Sequence, residues 1–236
     1  MRLYRRAHAS LDAEDCTARS IPVCNTAGGA GTEAAPAELA LGLLLAAARA
    51  IPAADANMRA GRFQESVPVG ISLAGKTIGI IGLGRLGSFM AGYCRALNMT
   101  VLAWSENLTA EKALAAGATL ASKDELLSRS DAISIHMSSR SRGLIGASDI
   151  ARMKPGALLI NTSRGPIVEE AALIEAVESR RIVAALDVYY REPLPADHPL
   201  RHSPNTADAA SRLWRSGDMG RVLRAKHRKC ARLHRR

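Results

Sequence analysis

Short apolar runs alternate along this chain with alanine-rich or amphipathic segments, a pattern that predicts strands alternating with helices. An Ala/Leu-rich segment from residue 36 to about residue 59 predicts a long helix that breaks or kinks near Pro52. Strands are predicted at 21–24, 77–81, 100–104, 118–120, 131–136, 157–161 and 182–188. Helices are predicted at 85–97, from about 109, from 122, at 148–153 and at 168–179. This alternation indicates an α/β fold with a doubly wound parallel sheet, whose ligand would lie at the carboxyl ends of the strands.

The sequence KTIGIIGLGRLG places three glycines in G-x-G-x-x-G order directly after a predicted strand. Gly82 would permit a tight turn, Gly84 would let the backbone approach a pyrophosphate, and Gly87 would let the next helix lie close to the strand. That helix begins with Arg85 and Leu86, and its N-terminus would face the phosphates with free N–H groups and a positive dipole end. A glycine-rich turn without a ligand is the alternative. The strand, helix and second strand around this turn favour a dinucleotide site.

Length and cysteine content narrow the class of protein. The chain has 236 residues, of which 47% are hydrophobic, which suffices for the core of a medium-sized domain. Its cysteines show neither C-x-x-C nor paired spacing: Cys16, Cys24, Cys94 and Cys230. We therefore expect no disulfide framework and no metal site, and a cytoplasmic location. The richest apolar run, residues 39–48, is too short to span a bilayer, so no membrane partner is expected.

The net charge of +10 is concentrated at the two ends of the chain. Residues 1–10 hold three arginines and no acid, and residues 201–236 hold eleven Lys/Arg against two Asp, whereas the rest holds 18 basic and 20 acidic side chains. A basic tail can bind a phosphate backbone. This tail has no aromatic interleaving beyond Trp214 and no nucleic-acid-binding motif. We therefore predict no specific nucleic-acid partner.

Three segments together resemble the D-isomer-specific 2-hydroxyacid dehydrogenases, a family that includes glyoxylate/hydroxypyruvate reductases and phosphoglycerate dehydrogenases. They are KTIGIIGLGRLG (76–87), LINTSRGPIVEEAAL (159–173) and ALDVYYREPLPADHPL (185–200), and they follow the family's order and spacing. The second and third are far more specific than the glycine turn. The resemblance covers roughly residues 10–206 and implies a Rossmann-type NAD(P)-binding domain at 31–206. Only a remnant of the substrate-binding domain, residues 1–30, would precede it.

The resemblance assigns catalytic roles to two residues. Arg164 would grip the carboxylate and carbonyl of a 2-oxo or 2-hydroxy acid, which its forked guanidinium suits better than an ammonium would. Glu192 would partner a catalytic histidine and raise its pKa, so that the imidazole can protonate the oxyanion formed as hydride arrives. The alternatives are a surface salt bridge for Arg164 and a solvated loop carboxylate for Glu192.

The same resemblance places several residues against the cofactor. Asp187 would anchor the nicotinamide carboxamide, although an isolated Asp at a strand end more often caps a turn. His136 would border the cofactor cleft, although a lone histidine there is as often structural. Thr162 and Ser163, which precede the arginine of the SRG motif, are also assigned to the cofactor site.

The choice between NAD and NADP depends on the end of the second strand, where the family usually has an aspartate for the adenosine ribose. Here Ser105 occupies that position, with Glu106 beside it. Glu106 could bind the 2′-hydroxyl of NAD, whereas Ser105 would tolerate the 2′-phosphate of NADP. No basic residue follows before Lys112, so we predict NAD, with NADP possible.

Family members pair through the helix that matches residues 36–59. The resemblance therefore implies a homodimer formed through this helix. If the helix stayed unpaired, an exposed apolar face there would favour aggregation.

The chain departs from the family pattern in three places. Only about 35 residues precede the long helix, where the family has most of a substrate-binding domain, and the loop HMSSRSRG at 136–143 is about two residues short. Beyond residue 200 the family continues with a strand leading into a T-P-H-x-G motif that carries the catalytic histidine. Here residues 205–214 read NTADAASRLW.

The third departure has a possible cause in the reading frame. Residues 207–214 can be encoded so that removal of one base gives L-T-P-H-L-G-Y. We therefore hypothesise that the frame shifts after Thr206, which would make residues 207–236 a disordered, out-of-frame basic tail. The sheet would then lack its last family strand and expose an edge. Two functions remain open, an NAD(P)-dependent 2-hydroxyacid dehydrogenase and an inactive NAD-binding or dimerisation remnant of one.

Overall fold

The computed structural model describes residues 13–19, 34–137, 141–203 and 206–208, which belong to two units. In the first unit, Met1–Glu33 with Arg212–Arg236, the described part is helix α1 (Ala13–Ala18), followed by an ion pair of 2.9 Å between Arg19 Nε and Asp15 Oδ1. The strand predicted at 21–24 and the tail from residue 209 lie outside the described residues. The second unit, Ala34–Ser211, contains the sheet and the candidate site.

Seven parallel strands form one sheet in the order β3-β2-β1-β4-β5-β6-β7. They are β1 (Thr77–Ile81), β2 (Thr100–Trp104), β3 (Thr119–Leu120), β4 (Ala132–Ile135), β5 (Ala157–Asn161), β6 (Ile182–Leu186) and β7 (Thr206–Asp208). All residues of β4 and β5 are buried, as expected for strands covered on both faces. The predicted doubly wound parallel sheet is therefore confirmed.

Helices cover both faces of this sheet. They are α2 (Ala35–Ala48), α3 (Ile51–Arg59), α4 (Arg85–Ala96), α5 (Ala110–Ala115), α6 (Lys123–Arg129), α7 (Ala147–Arg152) and α8 (Glu170–Glu178). Helices α2 and α4 share one core with Ile78 and Leu158, while α6, α7 and α8 share the other with Ile133 and Leu159. Consecutive strand residues such as Leu158 and Leu159 enter opposite cores because side chains alternate along a strand.

The long helix predicted at 36–59 is broken, as the proline indicated. Helices α2 and α3 meet at 67°, and the break occurs at Ala50, which has a left-handed φ of 50°. Pro52 lies in the first turn of α3, where the missing N–H costs no helical hydrogen bond. Among the described residues no single helix is long and apolar enough to cross a bilayer, and only this bent pair reaches the required length and composition jointly.

The expectation that the sheet lacks a strand after β6 is wrong, because a short seventh strand is present. Residues Thr206–Asp208 form β7, which pairs in parallel with Ala184–Leu186. The Thr206 hydroxyl lies 3.1 Å from the carbonyl oxygen of Leu200 and 2.9 Å from that of Ser203, so it can donate to either. Ala207 and Asp208, assigned from the sequence to a disordered tail, thus belong to the sheet, because backbone pairing depends little on which side chains the strand carries.

Candidate functional site

The predicted site residues follow neighbouring strands at the carboxyl edge of the sheet. Ser105 follows β2, Gly82 follows β1, His136 follows β4, Arg164 follows β5 and Asp187 follows β6. Since the sheet order runs β2-β1-β4-β5-β6, these residues form a row in that order. We call it the edge row. The glycine turn lies where the chain crosses from one half of the sheet to the other, between β1 and β4, which is where α/β sheets bind ligands.

The glycine turn has the backbone geometry that its sequence predicts. Gly82 has a φ of +98°, and a Cβ atom there would lie 2.6 Å from the His136 carbonyl oxygen. A Cβ atom at Gly87 would lie 2.2 Å from the Gly82 carbonyl oxygen, whereas one at Gly84 would meet no atom within 4 Å. The first helical hydrogen bond of α4 runs from the Ser88 N–H to the Gly84 oxygen at 2.8 Å, so the amide of Leu86 precedes the helical ladder. Open space above Gly84 at a helix N-terminus fits a pyrophosphate.

At the other end of the cleft, Ser105 and Glu106 directly follow β2, as predicted. Ser105 is half-buried and Glu106 is exposed. The Ser105 carbonyl accepts a hydrogen bond of 3.1 Å from the Leu108 N–H, which turns the chain away from the sheet. Both residues follow β2, the strand next to β1, and their role at a ribose stays a prediction.

His136 is tied to its own strand. Its Nε2 lies 2.9 Å from the hydroxyl of the fully buried Ser134, and its N–H donates to the Ile81 carbonyl at 2.8 Å. Burial lowers the pKa of His136 to about 4, so the imidazole is neutral at pH 7. Its backbone borders the glycine turn, and a neutral ring cannot serve as the proton donor at that pH. Its contact with the cofactor stays a prediction.

Arg164 lies on the turn that follows β5, and the contacts that hold this turn were not predicted from the sequence. Arg164 is exposed, and its Nη1 donates to the Ser163 carbonyl at 2.5 Å. Within the described part of the chain no carboxylate forms an ion pair with it, so the salt-bridge alternative has no partner there. The buried Asn161 hydrogen-bonds to both residues that precede Gly165. The sequence signal for Asn161 was a single polar residue ending an apolar strand.

Thr162 and Ser163 lie on the same turn, and both are half-buried. The Ser163 hydroxyl donates to the Ile135 carbonyl at 2.7 Å, which fastens this turn to β4. Asp187 follows the neighbouring strand, β6. Its backbone N–H donates to the Asn161 carbonyl at 3.1 Å, which fixes its position. The structure therefore brings these three residues together, and their cofactor contacts stay predictions.

Among the described residues, no histidine forms a hydrogen bond with Glu192. Its Oε1 accepts a hydrogen bond of 3.0 Å from the Tyr189 N–H, which closes a loop after β6. His198 Nε2 lies 3.3 Å from Glu170 Oε1, and His202 Nε2 lies 3.3 Å from the Ala196 carbonyl. The Glu–His pair implied by the family resemblance is thus not formed within the described ranges.

A contact between two loops flanks the edge row and was missed in the sequence. The Arg142 guanidinium lies 5.0 Å from the centroid of the Tyr190 ring, and its Nη1 donates to the Tyr190 hydroxyl at 2.5 Å. Gly165 lies under the same loop, since a Cβ atom there would lie 2.1 Å from the Tyr189 carbonyl carbon. The loops after β4 and β6 are therefore joined above the turn that carries Arg164.

This fold and the edge row define a dinucleotide-binding domain of the oxidoreductase type. Residues 41–208 match the family described as D-isomer specific 2-hydroxyacid dehydrogenase, NAD binding domain, so the chain belongs to that family. The family and the NAD-binding domain predicted from the three motifs are confirmed.

Individual relatives match the same region. The chain is 43% identical over 194 residues to D-3-phosphoglycerate dehydrogenase of Archaeoglobus fulgidus, covering 81% of this chain and 36% of that protein. It resembles the crystal structure of phosphoglycerate oxidoreductase from Vibrio cholerae with a TM-score of 0.79 and 34% identity, covering 86% and 66% of the two chains. It also resembles the apo-structure of D-lactate dehydrogenase from Escherichia coli, with a TM-score of 0.82 and 25% identity, covering 97% of this chain and 73% of that one. The chain spans little more than a third of the length of the curated relatives it matches.

Proposed function

We propose that this chain binds NAD(H) along the edge row and acts as the NAD-binding part of a dehydrogenase that interconverts 2-oxo acids and D-2-hydroxy acids. The observation that carries the proposal is the position of Arg164 on the same edge as the glycine turn, two strands away. Two strand spacings are about 10 Å. A dinucleotide whose pyrophosphate lies at Gly84 would therefore extend its nicotinamide toward Asp187 and Arg164.

When bound, the nicotinamide gives or takes the hydride, and the chain's own residues would supply binding and orientation. The Arg164 fork would hold the carboxylate of the acid with two parallel hydrogen bonds. Asp187 would orient the carboxamide from the next strand. Since His136 is neutral and Glu192 is bonded to Tyr189, the proton would have to come from another group.

NAD is the proposed cofactor in preference to NADP. Glu106 is exposed beside the end of β2, where a carboxylate can bind a ribose 2′-hydroxyl and would repel a 2′-phosphate. A tighter affinity for NADH than for NADPH in matched titrations supports this choice, and the reverse order refutes it.

The homodimer predicted through helix 36–59 is proposed here to pair through a different surface, which begins at α3. Helix α2 buries Leu43 and Leu44 against its own sheet, so that face is not available. The segment 51–71 exposes several large apolar side chains instead. These are Ile51, Met58, Phe63, Val69 and Ile71. Apolar patches of this kind mark interfaces or, unpaired, promote aggregation.

The described cysteines Cys16 and Cys94 are free, which supports a cytoplasmic location as part of the proposal.

The test combines binding with turnover. NADH is titrated into the full chain by fluorescence, and its oxidation is followed at saturating glyoxylate, hydroxypyruvate or, in reverse with NAD, D-3-phosphoglycerate. Oxidation that is lost in Arg164→Ala supports the dehydrogenase. Binding without oxidation favours the inactive NAD-binding remnant, and absence of NADH binding overturns the proposal.

A further inference from the structure

We propose that Asn161 is a positioning residue that fixes the backbone of Arg164, so that the guanidinium is presented to the carboxylate of a 2-oxo acid. The inference rests on the proposed function of Arg164 as the anion-binding group. Asn161 itself is 1% exposed and cannot touch that acid.

Both ends of the Asn161 amide are used within the next three residues. Its Oδ1 accepts a hydrogen bond of 3.0 Å from the Ser163 N–H, and its Nδ2 donates to the Arg164 carbonyl at 2.9 Å. A buried amide costs free energy unless it is hydrogen-bonded. The other residues of β5 are apolar, so a polar side chain at this one position is explained by these two bonds.

The same turn is fastened to the strands on either side. The Ser163 hydroxyl donates to the Ile135 carbonyl of β4 at 2.7 Å, and the Asn161 carbonyl accepts the Asp187 N–H beyond β6 at 3.1 Å. The turn is thus held to β4 through Ser163, while the backbone of Asn161 is fixed in the sheet and its side chain binds the Arg164 carbonyl. Removing this side chain should leave the strand pairing of β5 intact, together with the Ser163–Ile135 bond and the 3.2 Å bond from the Ile167 N–H to the Arg164 carbonyl. Only the two bonds of the amide are lost, so the turn loosens between residues 161 and 164.

The Arg164 side chain has little else to define its position. It is exposed, its one hydrogen bond goes to the adjacent Ser163 carbonyl, and no carboxylate of the described residues pairs with it. A bidentate grip on a planar carboxylate depends on the placement of the guanidinium to within a fraction of an ångström. That placement is therefore inherited from the backbone that Asn161 holds.

The first experiment compares ligand binding by full-length variants. The parent, Asn161→Ala and Arg164→Ala are titrated with NADH, and each NADH complex is then titrated with glyoxylate. We expect Asn161→Ala to weaken glyoxylate binding about tenfold or more while NADH affinity changes less than about twofold. The matched control is Asn57→Ala, which removes a buried asparagine that also closes a turn, through Glu65 and Arg62. It should lower thermal stability without changing glyoxylate affinity.

A conservative variant separates positioning from a general loss of structure. The Asn161 amide donates to the Arg164 carbonyl at every pH. In Asn161→Asp the carboxyl can donate only when it is protonated. Burial raises the pKa of such a carboxyl. Glyoxylate affinity relative to the parent should therefore recover as the pH is lowered from about 8 to about 6. A ratio that does not change with pH contradicts the role assigned to the Nδ2 bond.

Hydrogen exchange gives a measurement that does not depend on the substrate. In Asn161→Ala the Ser163 amide should exchange faster, while Leu158, Leu159 and Ile160 keep their protection in the sheet. Equal loss of protection throughout β5 would mean that Asn161 only supports the strand, and it overturns the inference. If the parent with NADH binds no glyoxylate, the proposed function fails. If the parent binds glyoxylate and Asn161→Ala binds it equally well, the positioning role alone fails.

Discussion

Gly87 lies so close to Gly82 that a Cβ atom on Gly87 would stand 2.2 Å from the Gly82 carbonyl oxygen. The first turn of α4 therefore rests directly on the turn that precedes it. This contact sets the helix N-terminus at the end of β1, where its amides can face a phosphate. The third glycine of the motif is thus required by packing of backbone on backbone, independently of any ligand.

Gly87→Ala should accordingly destabilise the domain. The methyl group meets backbone atoms, which cannot rotate away, and overpacking of this kind costs about 1–3 kcal/mol. The matched control is Gly92→Ala in the same helix, where a Cβ atom meets nothing within 4 Å. That change should be neutral or stabilise by up to about 1 kcal/mol. Urea unfolding of the two variants measures the difference, and equal stabilities would contradict the packing role.

Gly84→Ala should separate binding from folding. A Cβ atom at Gly84 meets no protein atom within 4 Å, so the free energy of unfolding should stay within about 0.5 kcal/mol of the parent. The methyl would project into the space above the N-terminus of α4, where the pyrophosphate would approach. NADH affinity should fall at least about tenfold, equivalent to about 1.4 kcal/mol. Unchanged NADH affinity in a titration would place the phosphates elsewhere.

Arg164→Lys should weaken acid binding although the charge is kept. A lysine ammonium is a point charge and cannot form the two parallel bonds of a guanidinium. We expect the dissociation constant of glyoxylate in the NADH complex to rise about 10- to 100-fold, with NADH affinity unchanged. Arg129→Lys, an exposed arginine at the end of α6, is the control and should change neither constant. Loss of NADH affinity in Arg164→Lys would show that the arginine acts on the cofactor.

The titration of His136 predicts how stability depends on pH. Burial lowers the pKa of His136 from 6.5 to about 4, so the unfolded chain binds a proton that the folded chain excludes. Stability from this residue is fully present above about pH 6.5 and is lost as the pH falls toward 4, by up to about 2 kcal/mol after allowance for partial solvent access. His136→Gln should flatten that part of the curve in urea unfolding between pH 7.5 and pH 4.5. A curve that keeps its slope in His136→Gln would contradict this assignment.

The sequence predicted those elements whose signal is local. Strands β1, β2 and β5 were predicted to the residue, because each is an apolar run bounded by polar residues or glycine. The helix after Ser122 was predicted from its capping box, in which Ser122 and Glu125 exchange hydrogen bonds of 3.2 and 2.9 Å. The start of α8 was placed two residues early, since Val168 forms a parallel bridge with Ile145 and the helix begins only at Glu170.

Features that depend on tertiary contacts were not visible in the sequence. Apart from Glu38, helix α2 is apolar on all sides, so its composition could not indicate which face packs on the sheet. Asn161 and the Arg142–Tyr190 contact depend on which loops meet in space. The candidate site was therefore predictable where it coincides with motifs, and the groups that hold it in place were not.

The final prediction concerns the reading frame after Thr206, and the register of β7 gives it a structural basis. Asp208 pairs with Leu186, the last residue of β6, so β7 reaches the carboxyl edge of the sheet. In the shifted frame L-T-P-H-L-G-Y, the histidine would take the place of Ala210, two residues beyond Asp208. We expect DNA sequencing from the codon of Leu200 onward to show a one-base difference. We also expect the frame-corrected chain to oxidise NADH with glyoxylate about 10²–10⁴ times faster than the chain described here, because it regains a proton donor. An unchanged DNA sequence refutes the frameshift. Equal rates in the two chains would show that this histidine is not the proton donor.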